Sequence, residues 1–315
     1  MEFPPLDFSR LVTTSVARRS HLVSTELFAH CREPRPGAPD VLDTLPDVLA
    51  ARTLRRLAQR IVEARRGGRV VLLGFGGHVV KTGLSPLLID LMQRGFVTAL
   101  CTNGSGALHD YEIAAVGHSS EDVGPGLEDG SWGMAAETAV ALNGAAARAA
   151  ASGAGLGHEL GCAALVAKLP CVQHGLLAAA ARLGLPATVH VALGTDTVHM
   201  HANADGAAIG AASLADFRLL AAVVAKLSGG VYLNVGSAVV LPEVFVKALN
   251  VARNLGHTVD GFATANLDML RHYRPRVNVL DRPGGEALEL TGHHELNLPL
   301  LRWAILRADA EGARA

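Results

Sequence analysis

The chain is 315 residues long, with 50% hydrophobic residues, 18% charged residues and a formal net charge of -1. These values exclude a disordered chain, a collagen-like repeat and a disulfide scaffold, and a chain of this length can bury a large core. The near-zero charge gives no electrostatic reason to expect nucleic acid or a membrane as a partner.

The N-terminal residues and the four cysteines bear on cellular location. The sequence MEFPPLDFSR lacks the basic and apolar segments of a secretory signal. No stretch of about 18 residues is free of charge and proline as a membrane span would be. No two cysteines have the spacing of a zinc knuckle or a redox motif. We therefore expect a cytoplasmic protein with reduced thiols.

Two parts of the chain differ in periodicity. Residues 1–50 show little periodicity and contain the turn-rich segment REPRPGAPD, so they are predicted to form an N-terminal arm. Residues 51–315 are predicted to form a single Rossmann-like, nucleotide-binding domain.

Helices and strands alternate along this second part. Apolar residues at helical spacing predict an amphipathic helix from Thr53, and the apolar run 70–73 predicts a strand covered on both faces. The alanine-rich segment 135–151 favours a helix, and could equally cover the site as a lid. Further strands are predicted at 96–101, 187–193, 231–235 and from 261–263, and further helices around 87–92, 173–183, 217–224 and 244–255. The resulting fold class is α/β, with a doubly wound, mostly parallel sheet and helices on both faces.

The loops that follow the predicted strands are small and polar. They carry the sequences GFGGH, CTNGSG, GTD, NVGSA and ATANLD. Ligands of open α/β sheets bind at this edge, so five such loops favour a nucleotide or dinucleotide, although each glycine could simply form a turn. The first turn lacks a strict G-x-G-x-x-G, so an ordinary dehydrogenase fingerprint is not supported.

Titratable side chains collect near the same loops. General acid and base chemistry is one interpretation, since imidazole titrates near neutral pH. A metal site is the second interpretation, and a structural role is the third. The acid and base candidates are His109, Glu243, Asp268, His293 and His294. The alternative metal ligands are His199, His201, His293 and His294. No G-x-S-x-G elbow is present, which makes a serine hydrolase improbable.

With these loops in order, residues 70–292 resemble deoxyhypusine synthase, a homotetrameric NAD-dependent enzyme family with the DHS-like NAD/FAD-binding fold. VVLLGFGGHVVKTGLSPLLIDLMQRG is similar to the family's strand, its G-F-x-x-N turn and the following helix. VTALCTNGSGALHDYEIAAVG, YLNVGSAVVLPEVFVKALN and ATANLD are similar to three further family segments. The resemblance implies a tetramer that binds NAD. The implied NAD contacts are Gly76, Gly77, Asn103, Gly104, Ser105, Asp196, Gly236, Ser237, Thr264 and Ala265.

The departures from that family fall on its chemistry. Its S-W-G-K motif supplies a lysine that forms an imine with the aminobutyl group of spermidine. The corresponding segment here is LTGHHE, with His293 in the lysine's place, and imidazole cannot form that imine. The family's paired glutamates become Leu108 and His109, and one of its two adjacent histidines becomes Glu243. The sequence therefore predicts a re-purposed site and makes deoxyhypusine synthesis unlikely.

Three functional hypotheses follow. The first is an NAD-binding enzyme that acts on a small polar substrate, an amine or polyol, by hydride transfer. His109 or His294 would then be the base, and Asp196, Glu243 and Asp268 would orient the substrate. The second is a metal-dependent hydrolase or lyase that uses the histidine cluster. The third is a non-catalytic nucleotide-binding sensor.

Overall fold

A parallel sheet organises the computed structural model, which describes residues 7–33 and 40–312. The sheet has six strands: β1 Val71–Phe75, β2 Ala99–Asn103, β3 Ala187–His190, β4 Val231–Val235, β5 Ala263–Asp268 and β6 Glu286–Thr291. They pair in the order β3-β2-β1-β4-β5-β6, and every pair is parallel. This is the strand order of a doubly wound Rossmann fold, so the predicted α/β class is confirmed.

Helices cover both faces of the sheet. They are α1 Leu49–Arg66, α2 Gly77–Lys81, α3 Ser85–Gln93, α4 Gly104–Val116, α5 Val123–Asp129, α6 Ala136–Ser152, α7 Leu156–Val166, α8 Leu176–Leu183, α9 Gly206–Val224, α10 Val240–Asn254, α11 Tyr273–Pro275 and α12 His294–Gly312. Side chains of a strand alternate between faces, and Leu73 belongs to one buried cluster while Leu72 belongs to the other. Two apolar layers explain why β1 is an uninterrupted apolar run.

Most predicted elements are present, with shifted ends. The strand predicted at 231–235 is β4, and the one predicted at 187–193 ends at His190 because the chain turns there into the next loop. The segment 135–151 is the helix α6. The edge strand β6 and the last helix α12 were not predicted from the sequence.

The described part of the predicted N-terminal arm packs against the rest of the chain. Val23–Ser24 pairs antiparallel with His118–Ser119, directly after α4. Val16 and Phe28 are buried, at 3% and 5% exposure. Residues 1–6 and 34–39 lie outside the described residues, and the division into arm and domain stays a prediction.

Among the described residues, one helix is long and apolar enough to cross a membrane by length and composition alone, namely α9. Core helices of α/β folds pass the same test. This helix packs against β3, α6 and α10 and carries the buried Asp216 on its inner side.

Candidate functional site

The carboxyl ends of β1 and β4 form the point where the strand order reverses. Gly76 follows β1 and Gly236 follows β4, and a Cβ atom on Gly76 would lie 2.1 Å from the carbonyl oxygen of Gly236. Backbone therefore touches backbone here, and neither turn has room for a larger residue. Crevices at such switch points are the usual ligand sites of open α/β sheets.

A polar cleft of about 470 Å³ opens beside this point, toward β2 and β3. Its volume is in the range of small-molecule sites. It contains three of the predicted site residues, Ser105, His109 and Asp196. Other residues in its wall include Arg19, Lys81, Glu121, Asp122, Trp132 and Thr195. Loops after β2 and β3 and the N-terminal segment thus meet in one cavity.

His109, on α4, is the most completely anchored side chain of the cleft. Its Nδ1 lies 2.7 Å from the hydroxyl of Ser119. The Ser119 hydroxyl donates to Oε2 of Glu112 at 2.8 Å, and the guanidinium of Arg19 donates to the same oxygen at 2.6 Å. These four residues, Arg19, Glu112, Ser119 and His109, are here called the relay.

Burial determines the charge state of the relay histidine. Burial, together with the nearby positive charges of Lys81 and Arg19, lowers the pKa of His109 to about 3. His109 is therefore neutral near pH 7. Lys81 is half-buried, and desolvation lowers the pKa of its ammonium. In the described residues, Lys81 has no ion-pair partner.

Asp196 lies against the first residue of α4. A Cβ atom on Gly104 would lie 1.8 Å from Oδ2 of Asp196, so only glycine allows the carboxylate into this position. Burial raises the pKa of Asp196 to about 6. Nδ1 of His199 accepts the backbone N–H groups of Gly194 and Asp196, both at 3.2 Å, which holds the loop after β3 in shape.

A second group of side chains surrounds the switch point on the β4 side. The ring of His294 lies over Gly236, since a Cβ atom there would meet Nε2 at 2.7 Å. The rings of His294 and His78 have centroids 5.8 Å apart. Burial lowers the pKa of His294, against the opposing charge of Asp268. The residues His78, Gly236, Asp268 and His294 are here called the switch-point corner.

Other predicted cofactor contacts have structural partners. Asn103 caps α4 by accepting the N–H of Gly106 at 2.9 Å, and the hydroxyl of Ser237 accepts the N–H of Leu241 at 3.2 Å. Gly77 packs on Ser105, whose Oγ would lie 2.5 Å from a Cβ atom on the glycine. The Asn103 and Ser237 side chains are thus already used within the turns that they form.

Thr264 and Ala265, two of the implied cofactor contacts, lie inside the sheet. Both are fully buried in the first half of β5, where Thr264 is level with Tyr232 of β4. Thr264 precedes Asp268 by four residues, or about 13 Å of extended strand. The strand therefore brings Asp268 to the ligand-binding edge, and the two earlier residues lie within the sheet.

Glu243 and His293 lie outside both groups. Glu243 pairs with Lys247 and Arg274 and accepts from Asn278, and its side chain is 36% exposed. The His293 side chain is 63% exposed and lies 3.6 Å from Glu295. The structure thus places Glu243 in a surface ion-pair network and His293 on the surface beside Glu295.

The alternative metal ligands do not form a cluster. Nε2 of His201 lies 2.9 Å from the carbonyl oxygen of Gly133, and His199 holds the loop after β3. Within residues 7–33 and 40–312, no group of three or more histidine, cysteine or acidic side chains could hold a metal ion.

The sequence pattern selected His109 but not its partners. Glu112 follows it by three residues on the same helix, which is a usable signal. Arg19 is 93 residues from Glu112 in the chain, and Ser119 lies beyond the end of the helix. Only tertiary structure brings these residues together.

Comparison with known proteins gives the fold and a limited sequence relationship. No family model matches the chain. A segment of 68 residues is 37% identical to an ornithine cyclodeaminase of Methanothermobacter thermautotrophicus and covers 21% of this chain and 16% of that protein.

Solved structures share the architecture over most of this chain. AgrE in complex with ornithine and NAD+ matches with a TM-score of 0.54 and 16% identity, over 84% of this chain and 34% of AgrE. A protein assigned to the LOR/SDH class from Methanococcus maripaludis S2 matches with a TM-score of 0.53 and 17% identity, over 86% and 74% of the two chains.

A protein assigned as a deoxyhypusine synthase from Entamoeba histolytica also matches, with a TM-score of 0.50 and 12% identity, over 82% and 88% of the two chains. This chain thus shares the Rossmann-like fold of these proteins. It spans about one-third of AgrE, so it corresponds to a part of that larger protein.

Proposed function

We propose that this protein is an NAD-dependent enzyme that removes a hydride from a small amine, with His109 as the base. One observation carries the proposal: the Gly76–Gly77 turn contacts Gly236 on one side and Ser105 and His109 on the other. A crevice at the switch point and a polar cleft with an anchored histidine therefore adjoin each other.

The residues at the switch point fit a dinucleotide. The glycine turns bring backbone close to the crevice, as a pyrophosphate requires. Nδ1 of His294 is buried beside the crevice and has no hydrogen-bond partner among the described residues, which leaves a polar atom for a ligand group. Asp196 would accept hydrogen bonds from hydroxyl or ammonium groups. Backbone of Gly76, Gly77 and Gly236, with Ser105 and His294, would hold the cofactor.

The charges of the cleft favour an amine that also carries an anionic group. Asp196 and Asp122 supply negative charge for an ammonium, and Lys81 supplies positive charge. Two comparisons support this class, because AgrE was solved with ornithine and NAD+ and the sequence relative is named an ornithine cyclodeaminase. We propose a basic amino acid as the first substrate to test.

Each residue has a defined part in this proposal. Bound NAD supplies the hydride acceptor. Asp196 holds the substrate ammonium, and Lys81 attracts its carboxylate. Nε2 of His109 would accept one proton of the substrate ammonium as a hydride leaves the adjacent carbon, and an iminium, the protonated imine, would remain. Burial of His109 keeps water away from the base.

Calorimetric titration with NAD+ and a substrate panel test the proposal together. Ornithine, other basic amino acids, diamines and polyols are each incubated with protein and NAD+, and NADH formation is followed by absorbance. We expect saturable binding of NAD+ and turnover with an amine that disappears in His109→Gln. At 100-fold excess over Kd, the cofactor should stabilise the fold by about 2.7 kcal/mol.

Two outcomes would replace this proposal. Binding of NAD+ without turnover on any substrate would favour the sensor hypothesis, and an absence of nucleotide binding would exclude both. A tetramer, as the resemblance implies, stays a prediction that light scattering on the same preparation can test.

A further inference from the structure

We propose that Ser119, Glu112 and Arg19 are positioning residues that fix the tautomer of His109, so that its Nε2 is the basic nitrogen in the cleft. This inference rests on the proposed function in one respect, the use of His109 as a base. It adds that the N-terminal segment, through Arg19, is part of the active site.

The hydrogen-bond pattern permits one assignment of protons. A guanidinium only donates, so Oε2 of Glu112 accepts from Arg19. The carboxylate only accepts, so the single proton of the Ser119 hydroxyl points to Glu112, at 2.8 Å. The serine oxygen then has only lone pairs left for His109. Nδ1 of His109 therefore carries the proton, and Nε2 has a free lone pair.

Burial makes this pattern rigid. Glu112 and Ser119 are fully buried, and the Arg19 side chain is 8% exposed. Thr138 donates to the other oxygen of Glu112 at 3.1 Å, so the carboxylate has a donor on both sides. In a low-dielectric interior, reversal of one hydrogen bond would leave buried groups unpaired, which costs about 1–3 kcal/mol each.

The N-terminal segment contributes twice to the relay. Arg19 supplies the cation, and it also contacts Glu121 of the cleft at 3.5 Å. Val23 pairs with Ser119 in the short antiparallel ladder, which fixes the backbone that carries the serine. The geometry thus places residues 19–24 beside the site.

Nitrogen NMR tests the tautomer without any assumption about catalysis. Long-range ¹H–¹⁵N spectra of the full-length protein distinguish the two tautomers, and the His109→Gln variant assigns the His109 signals. We expect the Nδ1–H form in the wild-type protein. The Nε2–H form would overturn the proposal, whether or not NAD+ turnover is found.

The variant Ser119→Ala removes the acceptor of the Nδ1 proton. We expect a mixture of tautomers and a fall in kcat of between about 10-fold and 10⁴-fold, the latter being the loss recorded for a wrong histidine tautomer in a catalytic triad. KM for NAD+ should not change, because the cofactor crevice is untouched.

A matched control is Ser85→Ala, since Ser85 is also fully buried and its hydroxyl has no partner in the described residues. It should keep both the tautomer and kcat. Glu112→Ala gives a second test, because loss of the carboxylate lets the Ser119 hydroxyl donate to Nδ1 of His109 instead, which permits the Nε2–H form. If the tautomer stays unchanged in both relay variants, the relay does not position His109.

Discussion

The relay and the switch-point corner each place one buried histidine beside a glycine turn, but they differ in completeness. Nδ1 of His109 lies 2.7 Å from the hydroxyl of Ser119, which is hydrogen-bonded to Glu112, and Glu112 in turn accepts from Arg19. Nδ1 of His294 is buried and has no partner in the described residues. A buried polar atom without a partner costs free energy, so under the proposed function the first group is complete as folded and a ligand would complete the second.

The two groups should therefore respond differently to removal of their histidine. We expect His109→Ala to lower NAD-dependent kcat by about 10²- to 10⁴-fold with nearly unchanged cofactor affinity. His294→Ala should weaken NAD+ binding instead. Calorimetry and steady-state kinetics measure the two effects, with the exposed His257→Ala as control. Equal loss of affinity in both variants would contradict the distinction.

The contact between the turns that follow β1 and β4 is tested by adding a side chain at Gly76. A Cβ atom on Gly76 would lie 2.1 Å from backbone that cannot move aside like a side chain. We expect Gly76→Ala to destabilise the fold by about 3 kcal/mol or more. The matched control is Gly210→Ala on α9, where nothing lies within 4 Å and alanine should stabilise by up to about 1 kcal/mol. Denaturant unfolding compares the two, and similar midpoints would mean that the turns are not in contact.

Particular strands and site residues show what the sequence could and could not predict. The predicted bounds of β4, 231–235, match the structure, because a central parallel strand is covered on both faces and is therefore a continuous apolar run. β6 was missed because it is an edge strand, in which Glu289 separates Leu288 from Leu290. The turn glycines and His109 could be predicted because they come shortly after predicted strands. The relay does not, because Arg19 reaches Glu112 from a distant segment without a periodic pattern.

We expect protonation of Asp196, and not of His109, to control the pH dependence of turnover. Burial places the pKa of Asp196 at about 6 and that of His109 at about 3. As the pH falls below about 6, Asp196 gains a proton and loses its attraction for an ammonium, so kcat/KM should fall about tenfold per pH unit. Asp196→Asn should remove this acid limb and lower kcat/KM at neutral pH. An acid limb that persists in the variant would point to another group.

The smallest effect concerns the free energy of unfolding, to which buried histidines and buried aspartates contribute with opposite pH dependence. Burial lowers the pKa of His109 to about 3 and that of His190 to about 4. The unfolded chain binds more protons on these groups below pH 6.5, so their contribution is complete above that value and is lost as the pH falls. Burial raises the pKa of Asp110 to about 6 and that of Asp216 to about 7, so their contribution is complete below about pH 4 and is lost as the pH rises.

Single variants should tilt the stability profile between about pH 4 and pH 6 in opposite directions. His109→Gln removes a group whose contribution increases with pH, so its unfolding free energy should decrease relative to the wild type from pH 4 to pH 6. Asp216→Asn removes a group with the opposite slope, so its unfolding free energy should increase relative to the wild type over the same range. Urea unfolding at several pH values measures both slopes. A His109→Gln profile parallel to the wild type would mean that His109 is hydrated, and the relay would then lack the dry environment that makes it rigid.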